Sequence, residues 1–549
     1  MNTIENIKQY INKTIAATWS INPAEHPHIE LALNCDPQRV EFGDFSSNAP
    51  LHAAKILKKN PRQAAQELVD AIKHPLIERI EIAGPGFLNI YLTQSGKENL
   101  FKELFVHDLS AFISKPQEPL SYSVEYVSAN PTGPLHFGHG RSGVIGDVYA
   151  NICRYLGHEV TKEYYINDAG SQITKLGNSL KIRCLQQIGK SVELPEDAYH
   201  GEYLIELARA CVQQFGPEVA TFPDSFFEDY AKNYLLGRIQ ETCQMYGIEF
   251  DTWFSEKTLH VSGAIKEALN ILKANGFLYE SEGALWFKST HFGDDKDRVV
   301  LKSTGEYTYV AADIAYLLNK IQRGAKKIIL VLGQDHHSYV TRLKGIMAAL
   351  GYNADDLHVI LYQLVTIKET GTVVRMSKRT GKIVSLFDVI ETVGADVARF
   401  FYLHRKADAH LEFDVDLALK HTDENPVYYI QYGYVRTSSM LEKASTIAEL
   451  QAITLVDCAN PDEDEVLILK KIASLSTLLE TIRVSYQTHL LTYYTVELAT
   501  MFHRFYAKHK VVDQANIEQS RRRLALVMTL RKTFETCFNL LGVTQPEKM

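Results

Sequence analysis

Two histidines, His136 and His139, stand three residues apart in the run Tyr-Val-Ser-Ala-Asn-Pro-Thr-Gly-Pro-Leu-His-Phe-Gly-His-Gly-Arg at 126–141. Imidazoles at that spacing at the start of a helix face the same ligand. Donors placed there stabilise charge developing on a phosphate during in-line displacement. Gly138 and Gly140 lack Cβ atoms, so a flat base or a ribose is expected to approach the backbone closely at this turn. Far downstream, Val-Arg-Met-Ser-Lys-Arg-Thr-Gly-Lys at 374–382 gathers Arg375, Lys378 and Lys382 in a short basic run. Cations on such a loop suit a pyrophosphate leaving group. Each half alone has an ordinary reading, the first as a turn with two surface histidines, the second as a solvated loop or a weak nucleic-acid patch. The two together are much rarer than either.

The elements around these residues are legible. Residues 121–127 alternate polar and apolar types, as a short strand does, and Val144, Ile145, Val148, Ile152, Tyr155 and Leu156 recur at helical spacing before Gly157. Strand, tight loop and helix N-terminus make a phosphate site, because unpaired N–H groups and the positive end of the helix dipole face the anion. A second apolar strand at 327–332 runs into Gly-Gln-Asp-His-His. Polar groups at a strand's carboxyl end are where an open α/β sheet binds ligands, which makes Asp335 and His336 candidates for a nucleotide ribose. An aspartate beside two histidines also suggests a metal. With no third ligand at the usual spacing, the ribose reading is preferred and no protein-held metal is predicted. Tyr309 and Asp313, four apart at a helix start, share a face.

Composition bounds the rest. A chain of 549 residues is too long for one core, and 46% hydrophobic with 23% charged residues is ordinary for a globular protein. No apolar run reaches membrane-spanning length, the first residues lack a signal-like apolar block, and seven scattered cysteines form no Cys-x-x-Cys pair. A cytoplasmic, reducing location is therefore expected, without a structural zinc. The net charge of −8 does not advertise a nucleic-acid binder. Charge is uneven, however: Asp-Glu-Asp-Glu at 462–465 contrasts with Arg504, Lys508, Lys510, Arg521, Arg522, Arg523, Arg531 and Lys532. A local basic face attracts RNA phosphates despite an acidic total; the plainer alternative for 521–523 is a solvated helix face.

Patterning divides the chain into four parts with an overall α/β character. Residues 1–95 read as a small α+β domain with three amphipathic helices and two strands around Gly-Pro-Gly. Residues 96–119 read as a linker helix. Residues 120–400 read as a Rossmann-like nucleotide-binding domain, interrupted at about 189–282 by a helical insertion and restarting with strands at 284–287 and 298–301. Residues 401–549 read as an all-α helical bundle, whose Tyr428, Tyr429, Tyr432 and Tyr434 are expected to be mostly core with one or two rings free to stack on bases.

The His-x-Gly-His turn followed by Met-Ser-Lys resembles the paired signatures of class I aminoacyl-tRNA synthetases. In finer detail, Glu-Tyr-Val-Ser-Ala-Asn-Pro-Thr-Gly-Pro-Leu-His-Phe-Gly-His-Gly-Arg at 125–141 resembles the arginyl-tRNA synthetase version. So do Gly-Glu-Tyr-Thr-Tyr-Val-Ala-Ala-Asp-Ile-Ala-Tyr at 305–316, Asp-Val-Asp at 414–416, Glu-Asn-Pro-Val-Tyr-Tyr-Ile-Gln-Tyr at 424–432 and the closing Leu-Gly-Val-Thr-Gln-Pro-Glu-Lys-Met. The resemblance implies ATP-dependent attachment of arginine to its tRNA through arginyl-adenylate, with magnesium accompanying ATP and bound tRNA needed for activation. It implies a monomer whose N-terminal domain touches the tRNA and whose C-terminal domain binds the anticodon. It places His136, His139 and Lys378 on the phosphates, with Gly138, Gly140, Asp335, His336, Arg375, Met376 and Ser377 around ATP. Glu125 and Asp313 would supply negative charge for the guanidinium, Tyr309 would cover it, Asn130 would hold the α-amino or carboxylate end, and Gln334 would assist. A guanidinium suits carboxylates in bidentate geometry and an aromatic face. The family's usual first lysine in the downstream signature is Arg375 here, which keeps the charge but not the point-charge geometry. Two alternatives stand beside this reading: an inactive tRNA-binding paralogue, and a related synthetase for glutamate or cysteine. Intact signatures count against the first, and carboxylates that repel an anionic side chain count against the second.

Overall fold

The computed structural model describes the chain except residues 1, 27, 114, 370–371 and 375–384. Its centre is a five-stranded, all-parallel sheet in the order Leu357–Tyr362, Lys327–Gly333, Ser121–Glu125, Glu159–Ile166, Thr252–Ser255. Apolar runs such as Ile328, Ile329, Leu330 and Val331 are buried, as strands covered on both faces require. Chain order runs outward in one direction from Ser121–Glu125 and in the other from Lys327–Gly333, so strand order reverses between these two. In such sheets ligands bind in the crevice outside the carboxyl ends at that reversal. Glu125 ends one of the strands there, and Gln334 follows the other.

Two expectations need correcting. Thr252–Ser255 lies inside 189–282, the range read as a helical insertion, yet it is the edge strand of the main sheet. Four residues are too few to show a period of two; aromatic packing secures the strand instead, with Trp253 stacked on Tyr164 at 4.5 Å between ring centres. The strands at 284–287 and 298–301 do not rejoin the main sheet. With Leu278–Ser281 they form a separate antiparallel sheet.

The helix His139–Tyr155 leaves the first strand's loop and is buried along most of its length. It is also where the C-terminal helices attach. Arg399, fully buried, pairs with Asp147 of this helix and donates to the Leu541 carbonyl (2.8 Å) and the Tyr246 carbonyl (2.9 Å). Asn151 donates to the Leu540 carbonyl at 3.2 Å. The end of the last helix, Ile517–Leu541, is thereby tied to the helix that begins with His139.

At the other end, a four-stranded sheet ordered Leu31–Leu33, Phe45–Ser47, Phe87–Leu92, Ile77–Ala83 forms the N-terminal unit. A buried ion pair of Asp44 with Lys470 (3.0 Å) joins it to the helix Glu463–Ser485. Arg521, Arg522 and Arg523 are not a solvated face. Arg521 binds Asp457 at 2.7 Å, Arg522 binds Glu465 at 2.7 Å, and Arg523 is buried against His509 and the acidic cluster. No helix among the described residues is long and apolar enough to cross a membrane.

Candidate active site

The turn after Glu125 is strained. Val127 and Ser128 have φ of 66° and 41°, in the left-handed region that a β-branched residue rarely enters. Hydrogen bonds maintain the turn: Val127 N–H donates to Ser142 Oγ (3.0 Å), and Tyr165 N–H donates to Ser128 Oγ (3.0 Å). Strain of this kind persists only where surrounding structure over-determines it, and it concentrates at ligand sites.

Beyond this turn the loop carrying His136 meets the segment that follows the basic run. Leu386 N–H donates to the Leu135 carbonyl at 2.8 Å, and His136 is bridged to Ser385, three residues beyond Lys382. Arg375, Met376, Ser377, Lys378 and Lys382 themselves lie outside the described residues. Ser385 and Asp388 form a capping box that starts the helix Leu386–Val393 at this junction.

The two imidazoles are oriented by backbone. His136 Nδ1 accepts the Gly138 N–H (3.2 Å), and His139 Nδ1 accepts the His136 N–H (3.0 Å). A neutral ring that accepts at Nδ1 carries its proton on Nε2. Burial lowers both basicities, and repulsion from His136 helps bring His139 down to about 4. Near neutral pH the pair therefore presents two N–H donors and no net charge. Packing alone requires a glycine at 140: a Cβ there would lie 2.7 Å from Leu386 Cδ1 and 2.8 Å from Tyr402 Cε2. At Gly138 the nearest neighbour of a Cβ would be His136 Nδ1, at 3.3 Å.

Glu125 and Asp313 line one cavity of about 90 Å³, together with Tyr165, Tyr316, Lys320 and Tyr339. Tyr316 hydroxyl, whose single proton lies between Glu125 and Glu163, is 2.9 Å from Glu125 Oε2, Lys320 Nζ lies 3.0 Å from the same oxygen, and Ser128 Oγ donates to Oε1 at 3.3 Å. Asp313 accepts the hydroxyl of Tyr339. Burial raises its carboxyl to about 7 against the Tyr339 hydrogen bond, with Glu256 and Glu125 adding to the rise and Arg342 opposing it.

The remaining candidates are spread along the crevice. Tyr309 opens the helix Tyr309–Gln322 four residues before Asp313 but is 62% exposed and does not line the cavity; the rings that do are Tyr165, Tyr316 and Tyr339. Asn130 donates to Gln172 Oε1 at 2.9 Å. Gln334 is half-buried in the short turn Gln334–His336. Asp335 (side chain 82% exposed) and His336 lie open to solvent, 3.6 Å apart. Tyr316, Lys320, Tyr339 and Glu163 also build the site, although no sequence motif assigns them a role. A signal for two of them existed, since 313, 316 and 320 fall on one helical face.

A parallel sheet with this crevice, an imidazole pair at a helix start and a helical C-terminal unit define a class I aminoacyl-tRNA synthetase. Residues 100–400 accordingly match the family described as tRNA synthetases class I (R), catalytic domain. Residues 4–92 match the arginyl tRNA synthetase N terminal domain, and 430–549 the DALR anticodon binding domain. The arginine--tRNA ligase of Desulforamulus reducens is 40% identical over 100% of this chain and 99% of its own length, and that of Geobacillus kaustophilus 39% over 99% of each. The chain belongs to the arginyl-tRNA synthetase family. The fold is shared with arginyl-tRNA synthetase structures from Thermus thermophilus (TM-score 0.72, 21% identity, 98% of this chain and 100% of that one) and Plasmodium falciparum (TM-score 0.77, 18% identity, 100% of each).

Proposed function

We propose that this chain attaches arginine to its cognate tRNA, with the Glu125–Asp313 cavity reading the guanidinium. An arginine carboxylate oxygen attacks the α-phosphorus of ATP, pyrophosphate leaves, and arginyl-adenylate forms. A terminal ribose hydroxyl of the tRNA then attacks the acyl carbon and AMP leaves. No enzyme nucleophile is needed, so alignment and charge stabilisation carry the rate. His136 and His139 donate from Nε2 to phosphate oxygens, near Gly138 and the helix N-terminus. Lys378 and Arg375 neutralise the departing pyrophosphate, while Met376, Ser377, Asp335 and His336 frame the nucleoside. Magnesium travels with the ATP phosphates as part of the substrate. Asn130 and Gln334 orient the amino-acid backbone, and Tyr309 covers the open side of the guanidinium once arginine is bound.

The tRNA is read at both ends of the chain. On the C-terminal helices Pro426–Ser445 and His489–Lys508, Tyr428 stacks on Tyr432 at 6.1 Å, and Arg436 lies over the rings of Tyr432 and Tyr506 at 4.4 and 4.8 Å. Such a cationic aromatic face suits unstacked bases, whereas Tyr434 is buried in the core. The buried free thiols suit a reducing cytoplasm, where the chain acts as a monomer.

The observation that carries this reading is the shared cavity of Glu125 and Asp313. ATP–pyrophosphate exchange with tRNA present, run with arginine and with other amino acids, tests it. Exchange with arginine alone is expected. An absence of exchange with every amino acid would favour the inactive paralogue.

A further inference from the structure

Glu125 and Glu163 are register partners on adjacent parallel strands, so their side chains project from the same face of the sheet. Like charges directly opposite repel, and Glu163 is fully buried. Lys320, also fully buried, stands between them: it pairs with Glu163, reaches Glu125 Oε2 at 3.0 Å and donates to Ser123 Oγ at 3.1 Å. Its ammonium group thereby meets three oxygens at once, two carboxylates and a hydroxyl. Tyr316 hydroxyl touches the same two carboxylates, and Arg323 pairs with the far oxygen of Glu163. Burial by itself would raise Glu163, but Lys320 and hydrogen bonds from Arg323, Lys320 and Tyr316 hold it at about 2.

Two consequences follow for Glu125. Its Oε2 is occupied from inside the protein, leaving only the Oε1 edge, beside Ser128, for a ligand. Glu125, Glu163, Lys320 and Arg323 also sum to zero charge, so this group offers the substrate geometry more than net attraction. We propose that Lys320 is a positioning residue for arginine recognition: by pinning Glu125 Oε2, with Tyr316, it turns the carboxylate so that Oε1 receives one guanidinium N–H. The proposal rests on the reading of Glu125 as an arginine contact.

The test compares tRNA-dependent ATP–pyrophosphate exchange of the full chain and four variants, measuring KM for arginine, KM for ATP and kcat. Glu125→Gln tests the underlying reading and should raise the arginine KM at least tenfold. Lys320→Met should do the same with the ATP KM within twofold. Should Lys320→Met fail to fold, because Glu163 loses its neutralising partner, the double variant Lys320→Met/Glu163→Gln carries the test. It removes the buried charge along with its counterion, and Arg323, whose side chain is 35% exposed, is left facing solvent. If Lys320 acts by pinning Glu125, the double variant keeps the raised arginine KM. If Lys320 serves only to neutralise Glu163, the arginine KM returns to the wild-type value, and the proposal is overturned. Tyr316→Phe removes the second pin and should raise the arginine KM severalfold; an arginine KM unchanged in both Tyr316→Phe and the double variant also overturns it. A wild-type arginine KM in Glu125→Gln, beside a raised one in Lys320→Met, would instead reject Glu125 as the arginine contact.

Discussion

Asp313 and Glu125 line one small cavity, yet among the described residues only Glu125 has a cation paired with it, Lys320. Among the described residues Asp313 has the Tyr339 hydroxyl, while the nearby Arg342 is engaged by Asp294 at 3.1 Å. The two carboxylates therefore divide the work. Glu125 is fixed in place and its charge is answered from within. Asp313 is the group whose charge an incoming guanidinium must balance.

The pH dependence of arginine binding follows from Asp313. Its carboxyl is raised to about 7 by burial, facing Tyr339, Glu256, Arg342 and Glu125. Because the folded value lies above that of the unfolded chain, Asp313 favours the fold at low pH, and that contribution is lost as pH rises through about 7. Bound arginine reverses the sense, since a cation favours the ionised carboxylate. The arginine KM should accordingly rise by up to about tenfold per unit as pH falls below 7, while the ATP KM does not follow. An arginine KM that stays flat from pH 6 to 8 contradicts this.

The histidine pair should behave as neutral donors. His136→Ala and His139→Ala should each lower kcat by about two to three orders of magnitude, as removal of one charge-stabilising donor does. With His139 at about 4 and His136 also lowered, neither ring should give an acid limb near pH 6.5 in kcat. A kcat profile measured at saturating arginine decides it, and a limb at 6.5 that vanishes in His136→Ala would show a protonated ring at work.

Lys378→Ala should likewise cut turnover by about two to three orders of magnitude if this lysine stabilises the leaving pyrophosphate. The measurement is single-turnover formation of arginyl-adenylate. Unaltered turnover would remove Lys378 from the mechanism.

Gly140→Ala tests a structural point inside the signature. The new methyl would meet Leu386 and Tyr402 below 3 Å, and overpacking of this kind costs about 1–3 kcal/mol. Urea unfolding should show that loss, and a variant as stable as the parent would mean that the helix His139–Tyr155 shifts easily.

Much of the catalytic unit was legible because its signals are local. Turn formers at 126–141, helical spacing after His139 and an apolar run at 327–332 each predict an element, and each element appears. The edge strand Thr252–Ser255 was not legible, since four residues with two large aromatics carry no periodicity and depend on Tyr164 and Tyr165 across the sheet. The packing demand on Gly140 was not legible for a similar reason: Leu386 and Tyr402 come from about 250 residues away. The pairing of the arginines at 521–523 was not legible either, because their partners, Asp457 and Glu465, lie on other elements. In the site, Glu125 and Asp313 could be picked out by type and motif. That Glu125 spends one oxygen on Lys320 depends on strand register, which local spacing does not reveal.

The central claim is that a carboxylate pair lining one cavity selects a delocalised cation, and its most direct test replaces arginine by its uncharged isostere citrulline in tRNA-dependent ATP–pyrophosphate exchange. A site built around paired polar groups rejects an analogue lacking the matching group by about 10⁴ or more, so citrulline should support exchange at no more than that small fraction of the arginine kcat/KM, and Asp313→Asn should narrow the gap chiefly by weakening arginine. Comparable exchange with arginine and citrulline in the wild-type chain would contradict the account.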